Sequence, residues 1–272
     1  MLPQTLLLEL GELAIVIVFA LVAIWARALD RGGFLASVAV GFAIFLGGGW
    51  RWFVIIASFF ILGVSFTYYK YERKKKLGGA QEKGGARSWP NILANGGLAA
   101  LFGLGELAFG GPAFAVLYLG AMSAAGADTV GTELGLLNKT PPRLITHPQS
   151  TVQPGTSGGV SKLGFLGSLL ASVAIGVIAA LLAVPGKLSP VIIVAAAVAG
   201  GMTGSVADSA VGAAVQRKGV CAVCGTPTEN LVHCGKPTLK KSGVGFIDNN
   251  VVNVVATVVG ALVSLAVAAA FL

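Results

Sequence analysis

The sequence predicts an all-α, polytopic integral membrane helix bundle of about eight transmembrane helices, and three observations carry that reading. Of its 272 residues 55% are apolar and only 11% charged, with a mean hydropathy of +0.84, whereas a soluble domain carries about 25% charge. The apolar runs are long enough to span a bilayer. They also lack two-residue alternation, which excludes a β-barrel. High apolar content and 39 glycines without a period exclude disordered and fibrous classes.

Eight apolar segments follow in order: 13–29, 33–49, 52–69, 91–110, 112–134, 159–184, 188–208 and 246–270. The first is preceded by Glu9 and Glu12, and no basic residue comes before Arg27. A signal peptide would need a positive leader, so Met1 is expected to begin the mature protein. The second is short and ends in Gly47, Gly48 and Gly49. The third runs into Tyr68, Tyr69 and Tyr71, an aromatic interfacial anchor. Polar connections at 70–90, 135–158 and 209–245 separate the rest, so residues 1–272 form a single membrane domain.

Charge sets the expected orientation. With the 70–90 loop in the cytoplasm, alternation puts all of the 19 basic residues except Arg51 and Lys187 on that side. Retention of Lys and Arg dominates topology, so both termini are expected outside the cytoplasm, in a cell membrane. The formal charge of +8 thereby marks loops rather than a nucleic-acid surface.

Chemistry concentrates at the same face. Asp128 and Asp208 sit in the echoed strings ADTVG and ADSAVG, each near the end of a helix running toward the cytoplasm. A carboxylate there opposes the helix dipole, so capping does not explain it. A bound cation does: carboxylates at one depth are oxygen ligands of the kind Mg²⁺ uses while bridging to phosphates. Asp248 opens the last helix and is either a ligand or an N-cap; Glu133 joins the set only if its helix ends or bends there. Thr132 shares a face with Asp128, Gln216 shares one with Asp208, and Ser209 follows Asp208.

The sixth helix begins after QPGTSGGVSKLG, where Gly155, Thr156, Ser157, Gly158, Gly159 and Ser161 make a glycine-rich turn with Lys162 just beyond. Such a turn is either a plain cap or a cradle for an anion at a helix N-terminus. Asn91 and Asn95 flank the fourth helix start with Arg87, and Asn249 and Asn253 lie one turn apart in IDNNVVN. These amides serve either helix-to-helix hydrogen bonds or a ligand. All three cysteines fall in one loop. Cys221 and Cys224 form CxxC, and His233 adjoins Cys234, so the loop holds either a structural Zn²⁺ or free thiols.

In order along the chain, ADTVGTELG, GTSGGVS, ADSAVGAAVQ, HCGKPT and IDNNVVN together resemble one family of polytopic membrane proteins, over nearly the whole chain from Arg87 onward. That family includes the chloroplast phytyl-phosphate kinase of tocopherol synthesis and many uncharacterised members. It is more distantly similar to CTP-dependent dolichol kinases and phosphatidate cytidylyltransferases. The resemblance implies phosphoryl transfer from a nucleoside triphosphate, CTP, to an isoprenyl monophosphate lipid of phytyl or geranylgeranyl type. Asp128 and Asp208 would then hold Mg²⁺, the glycine-rich turn the triphosphate, and Lys162 and Arg143 would offset developing charge. A lipid-phosphate cytidylyltransferase shares the same site, and a transporter or lipid flippase would instead bind near the midplane. Oligomeric state is left open.

Overall fold

Backbone amides in hydrocarbon find no water, so long apolar runs close their hydrogen bonds within helices. The computed structural model describes residues 4–77, 79, 81, 83–225, 227–229 and 231–272. Its helices are α1 (Gln4–Trp25), α2 (Arg31–Tyr68), α3 (Tyr71–Lys76), α4 (Trp89–Phe109), α5 (Pro112–Gly135), α6 (Lys162–Leu181), α7 (Pro190–Ala214) and α8 (Asn249–Ala268). All but the short α3 are long and apolar enough to cross a membrane.

The longest, α2, is two limbs. Gly49 has φ 65° and ψ −167°, a conformation open to glycine alone, and the chain reverses there. Phe45 and Phe53 bring their ring centroids to 5.4 Å, and Ser37 and Phe60 line one cavity, although a straight helix would hold the latter pair about 35 Å apart. Limbs 31–48 and 50–68 thus cross separately, which gives eight spans and matches the second and third apolar segments.

Three boundaries differ from expectation. α1 starts nine residues before the expected 13 and stops at Trp25, because residues 28–30 pair instead with Arg87. The Arg87 amide donates to the Ala28 carbonyl at 2.9 Å and its carbonyl accepts from the Asp30 amide at 3.1 Å. Gly159–Val160 do not open α6 but form a strand against Arg143–Leu144, and Ser161 caps the helix by accepting from the Gly164 amide at 3.1 Å. α7 runs six residues past Asp208.

The loops carry structure that an all-α reading did not include. The α5–α6 connection holds a three-stranded sheet, ordered β2 (His147–Thr151), β1 (Arg143–Leu144), β3 (Gly159–Val160). The α7–α8 connection holds a four-stranded one, ordered β5 (Pro227–Thr228), β4 (Lys218–Cys221), β7 (Lys236–Ser242), β6 (Val232–His233).

α5 is the axis of the bundle and the most buried of the crossing helices. Small residues let its neighbours close in, as small-residue seams do where lipid offers no hydrophobic drive. A Cβ on Gly120, Gly200 or Gly260 would strike the backbone oxygen of a facing helix. Ser123 and Ser264 then donate across the seams to the carbonyls of Ala197 (2.6 Å) and Ala196 (2.8 Å) of α7.

Candidate functional site

Packing of α5 against α7 brings the two echoed strings together. The carboxyl groups of Asp128 and Asp208 are in hydrogen-bond contact with each other, about two turns inside the helix ends. That depth corrects the sequence argument. The macrodipole fades within the last turn, so burial and mutual repulsion, not helix direction, set these two apart. Two carboxylates in contact are held together by a shared proton or bridged by a cation.

The fourth and eighth helices complete the cluster. With its amide oriented to satisfy both neighbours, Asn253 donates to Asp208 Oδ2 at 3.1 Å and to the Asn249 carbonyl at 3.2 Å, and accepts from Asn95 Nδ2 at 3.2 Å. Asn95 also donates to the Asn91 carbonyl at 3.0 Å. Both Asn95 and Asn253 are buried. The oxygen-rich donor set of two carboxylates and two amides suits a hard cation such as Mg²⁺.

From Asn95 the polar line continues into an apolar cavity between α1, α2 and α4. Val16, Phe19 and Phe60 line its walls, and Arg87, Asn91 and Asn95 its polar end. The Arg87 guanidinium lies over the rings of Phe59 (5.5 Å) and Phe60 (5.7 Å). It packs against Gly63, where Thr129, the neighbour of Asp128, also approaches. Asn91 Oδ1 is buried there without a hydrogen-bond partner. The sequence sets Arg87, Asn91 and Asn95 together at the start of the fourth helix but does not reveal that they share a cavity wall, since α2 supplies the other side.

The glycine-rich turn docks on the end of α7. Gly158 has φ 79°, and a Cβ there would collide with the Ala213 backbone at 2.7 Å. Ser157 Oγ donates to Gln216 Oε1 at 2.5 Å, and Gln216 Nε2 donates to Glu229 Oε2 at 2.5 Å. The expected amide cradle is only partly available. The amides of Thr156 and Gly159 donate to the Gln153 (3.1 Å) and Thr156 (2.9 Å) carbonyls, so they close turns on the loop itself. Gly155, with φ 84°, abuts Gly79.

Glu229 is the carboxylate that sequence reasoning missed. It stands in the cysteine loop without a motif around it, yet it lies within electrostatic reach of Asp208 and Asp248. Burial, reinforced by Asp248 and opposed by Lys218, pushes its carboxyl up to about 7. The folded chain therefore keeps a proton that the unfolded chain has released, and stability falls as pH rises from the ordinary glutamate range through about 7. Glu229→Gln is expected to flatten that fall when thermal unfolding in detergent is followed from about pH 5 to about pH 8. An unchanged slope would clear Glu229 as its source.

Other expected site residues lie elsewhere. Glu133 is not with the aspartates: it is buried in an ion pair with Lys74 and accepts from Thr67 Oγ1 at 3.0 Å. Its helix neither ends nor bends before Gly135, so a residue five positions after Asp128 faces away from it. Asp248 takes the capping role, accepting from the amides of Asn250 (2.9 Å) and Val251 (3.0 Å). Arg143 donates to the Pro148 carbonyl at 2.7 Å, and Lys162 is exposed on the first turn of α6. Thr132 and Asn249 are exposed at the loop-bearing face, while Ser209 is half-buried beside Asp208. The Cys221, Cys224 and Cys234 sulfurs and a His233 ring nitrogen all lie within 4.8 Å of one another.

Fold and cluster define an integral membrane protein with a buried carboxylate and amide site near its loop-bearing face. The chain belongs to the family described as Integral membrane protein DUF92, whose pattern matches residues 14–261. It is 32% identical to an uncharacterized membrane protein of Methanocaldococcus jannaschii, over 96% of this chain and 94% of that one. It is 30% identical to Protein PGR of Arabidopsis thaliana, over 84% and 85%, and 26% identical to Protein VTE6, chloroplastic, of the same plant, over 87% and 64%. No solved structure matches the chain.

Proposed function

We propose that this protein transfers the γ-phosphoryl group of CTP to an isoprenyl monophosphate at the cytoplasmic face of a cell membrane. One observation carries the reading: the Asp128–Asp208–Asn253–Asn95 cluster is continuous with an apolar cavity that ends in a cation, Arg87. A molecule with a hydrocarbon tail and an anionic head matches that sequence of environments. Eight spans bring both termini to one side, and the partition of Lys and Arg supports the loops facing the cytoplasm, where soluble nucleotide arrives.

In the reaction an oxygen of the acceptor monophosphate bonds to the γ-phosphorus, the bond from that phosphorus to the β-bridging oxygen breaks, and CDP leaves. No proton need move, because the acceptor oxygen is already anionic. Asp128 and Asp208 would hold Mg²⁺, which supplies charge neutralisation between the phosphates. Arg87 would anchor the acceptor phosphate, Asn95 and Asn253 would fix the aspartates, and Ser157, Gly158 and Lys162 would meet the triphosphate. A transport reading draws on the depth of the aspartate pair, two turns inside the helices.

The test incubates purified protein in detergent with geranylgeranyl monophosphate, Mg²⁺ and γ-labelled CTP. Label appearing in the lipid diphosphate supports the kinase. A CDP-linked lipid with released pyrophosphate would move the assignment to a cytidylyltransferase, and no turnover in folded protein would move it to transport. Arg87→Gln is expected to raise the KM for the lipid at least about tenfold, the effect of losing one charge-assisted phosphate contact, and to leave the KM for CTP unchanged. A shift in the CTP value alone would place Arg87 on the wrong substrate.

A further inference from the structure

We propose that Cys221, Cys224, His233 and Cys234 bind a structural Zn²⁺ that folds the 218–242 insert and holds Glu229 against the end of α7. The proposal stands on the geometry of four side chains and is independent of the reaction assigned above. A tetrahedral ion with thiolate ligands at about 2.3 Å and an imidazole at about 2.0 Å sets sulfur pairs about 3.8 Å apart and sulfur–nitrogen pairs about 3.6 Å apart. Cys224 Sγ and Cys234 Sγ are 3.8 Å apart, and His233 Nδ1 is 3.5 Å from the first and 3.3 Å from the second. The sulfurs are too far apart for a disulfide, which needs about 2.05 Å.

The backbone is shaped for the same purpose. Cys221 ends β4, the Gly225 amide donates back to its carbonyl at 3.0 Å, and the Val223 amide points at its sulfur at 3.3 Å. Gly225 at φ 73° completes the knuckle. Adjacent residues in a strand point to opposite faces, so His233 and Cys234 look unable to share an ion. Cys234, however, has φ 51° and Gly235 follows at φ 73°. The left-handed turn swings the Cys234 side chain to the side of His233. A non-glycine residue holds that conformation where its surroundings demand it, and shared ligation is such a demand.

An insert of this size cannot hold itself by burial. Its strands are two to seven residues long, and among its described residues only Val220-flanking positions Gly219 and Cys221, with Thr238, are buried. Small units of this kind depend on metals or disulfides. The ion would also reach the site through a short path. β4 continues from Gln216 and Arg217, and Arg217 clamps the insert by donating to the Glu229 carbonyl (3.1 Å) and to Thr238 Oγ1 (2.7 Å).

The experiment measures metal in the full-length protein, purified in detergent without chelator or added metal. About one zinc per chain is expected, along with thiols that resist a thiol reagent until the ion is chelated. Protein prepared with Co²⁺ should show thiolate-to-cobalt charge transfer and the strong visible bands of a tetrahedral site. Cys224→Ser should lose the ion, while His233→Cys should keep it and alter the cobalt spectrum. Folded wild-type protein without zinc, with three freely reactive thiols or a Cys224–Cys234 disulfide, would overturn the proposal, as would loss of metal in His233→Cys with the fold intact.

Discussion

Asp128→Asn and Asp208→Asn are each expected to lower the rate of CTP-dependent lipid phosphorylation by about three orders of magnitude or more, the scale seen when electrostatic support for a transferring phosphoryl group is removed. The substitution keeps shape and changes only charge. Because the two carboxyl groups touch, neutralising one relieves repulsion, so the thermal midpoint without nucleotide should hold or rise. Loss of activity with undiminished stability is the pattern of a site held together against its own preference. Near-normal turnover in either variant would remove the aspartates from the chemistry; a fall in both quantities would make them structural.

The largest effect on stability is expected at Lys74. Its ammonium is fully buried, pairs with Glu133 and donates to the Phe66 and Thr67 carbonyls, each at 2.7 Å. Three N–H donors meet three acceptors. Lys74→Met should cost about 3–5 kcal/mol, because it leaves the buried Glu133 charge with the Thr67 hydroxyl but without the ammonium that it pairs with. The double variant Lys74→Met, Glu133→Leu should regain most of that loss and retain phosphorylation at a temperature where it is folded. Thermal unfolding of the four members of the cycle gives the coupling. Inactivity of the folded double variant would return Glu133 to the reacting site.

These two residues also explain where the sequence could be read and where it could not. Crossing helices were legible because hydrocarbon demands long apolar runs, and the glycine triplet announced the reversal inside α2. The echoed strings put the two aspartates at one depth, although the dipole argument that singled them out fails two turns inside the helix ends. The role of Glu133 was left open because its partner stands 59 residues away, in a loop whose charges read as solvated. Glu229 was passed over because its burial arises from the insert folding over Gln216. Four of the seven loop strands are two residues long, and the longer β2 and β7 are exposed at every position but Thr238, so little alternation marks either sheet.

The seams among α5, α7 and α8 admit nothing larger than a hydrogen at Gly120, Gly200 and Gly260, and this divides the molecule mechanically. That half behaves as an anvil, too close-packed to part without breaking helix-to-helix bonds. α1 is the least buried of the crossing helices, and it rests on α2 through Phe19, whose ring meets Phe53 at 5.6 Å and Phe60 at 5.8 Å. The lightest packing among the crossing helices therefore lies at one flank of the bundle, beside the cavity. On the proposed reading, a lipid acceptor would enter from that flank without its tail leaving the hydrocarbon.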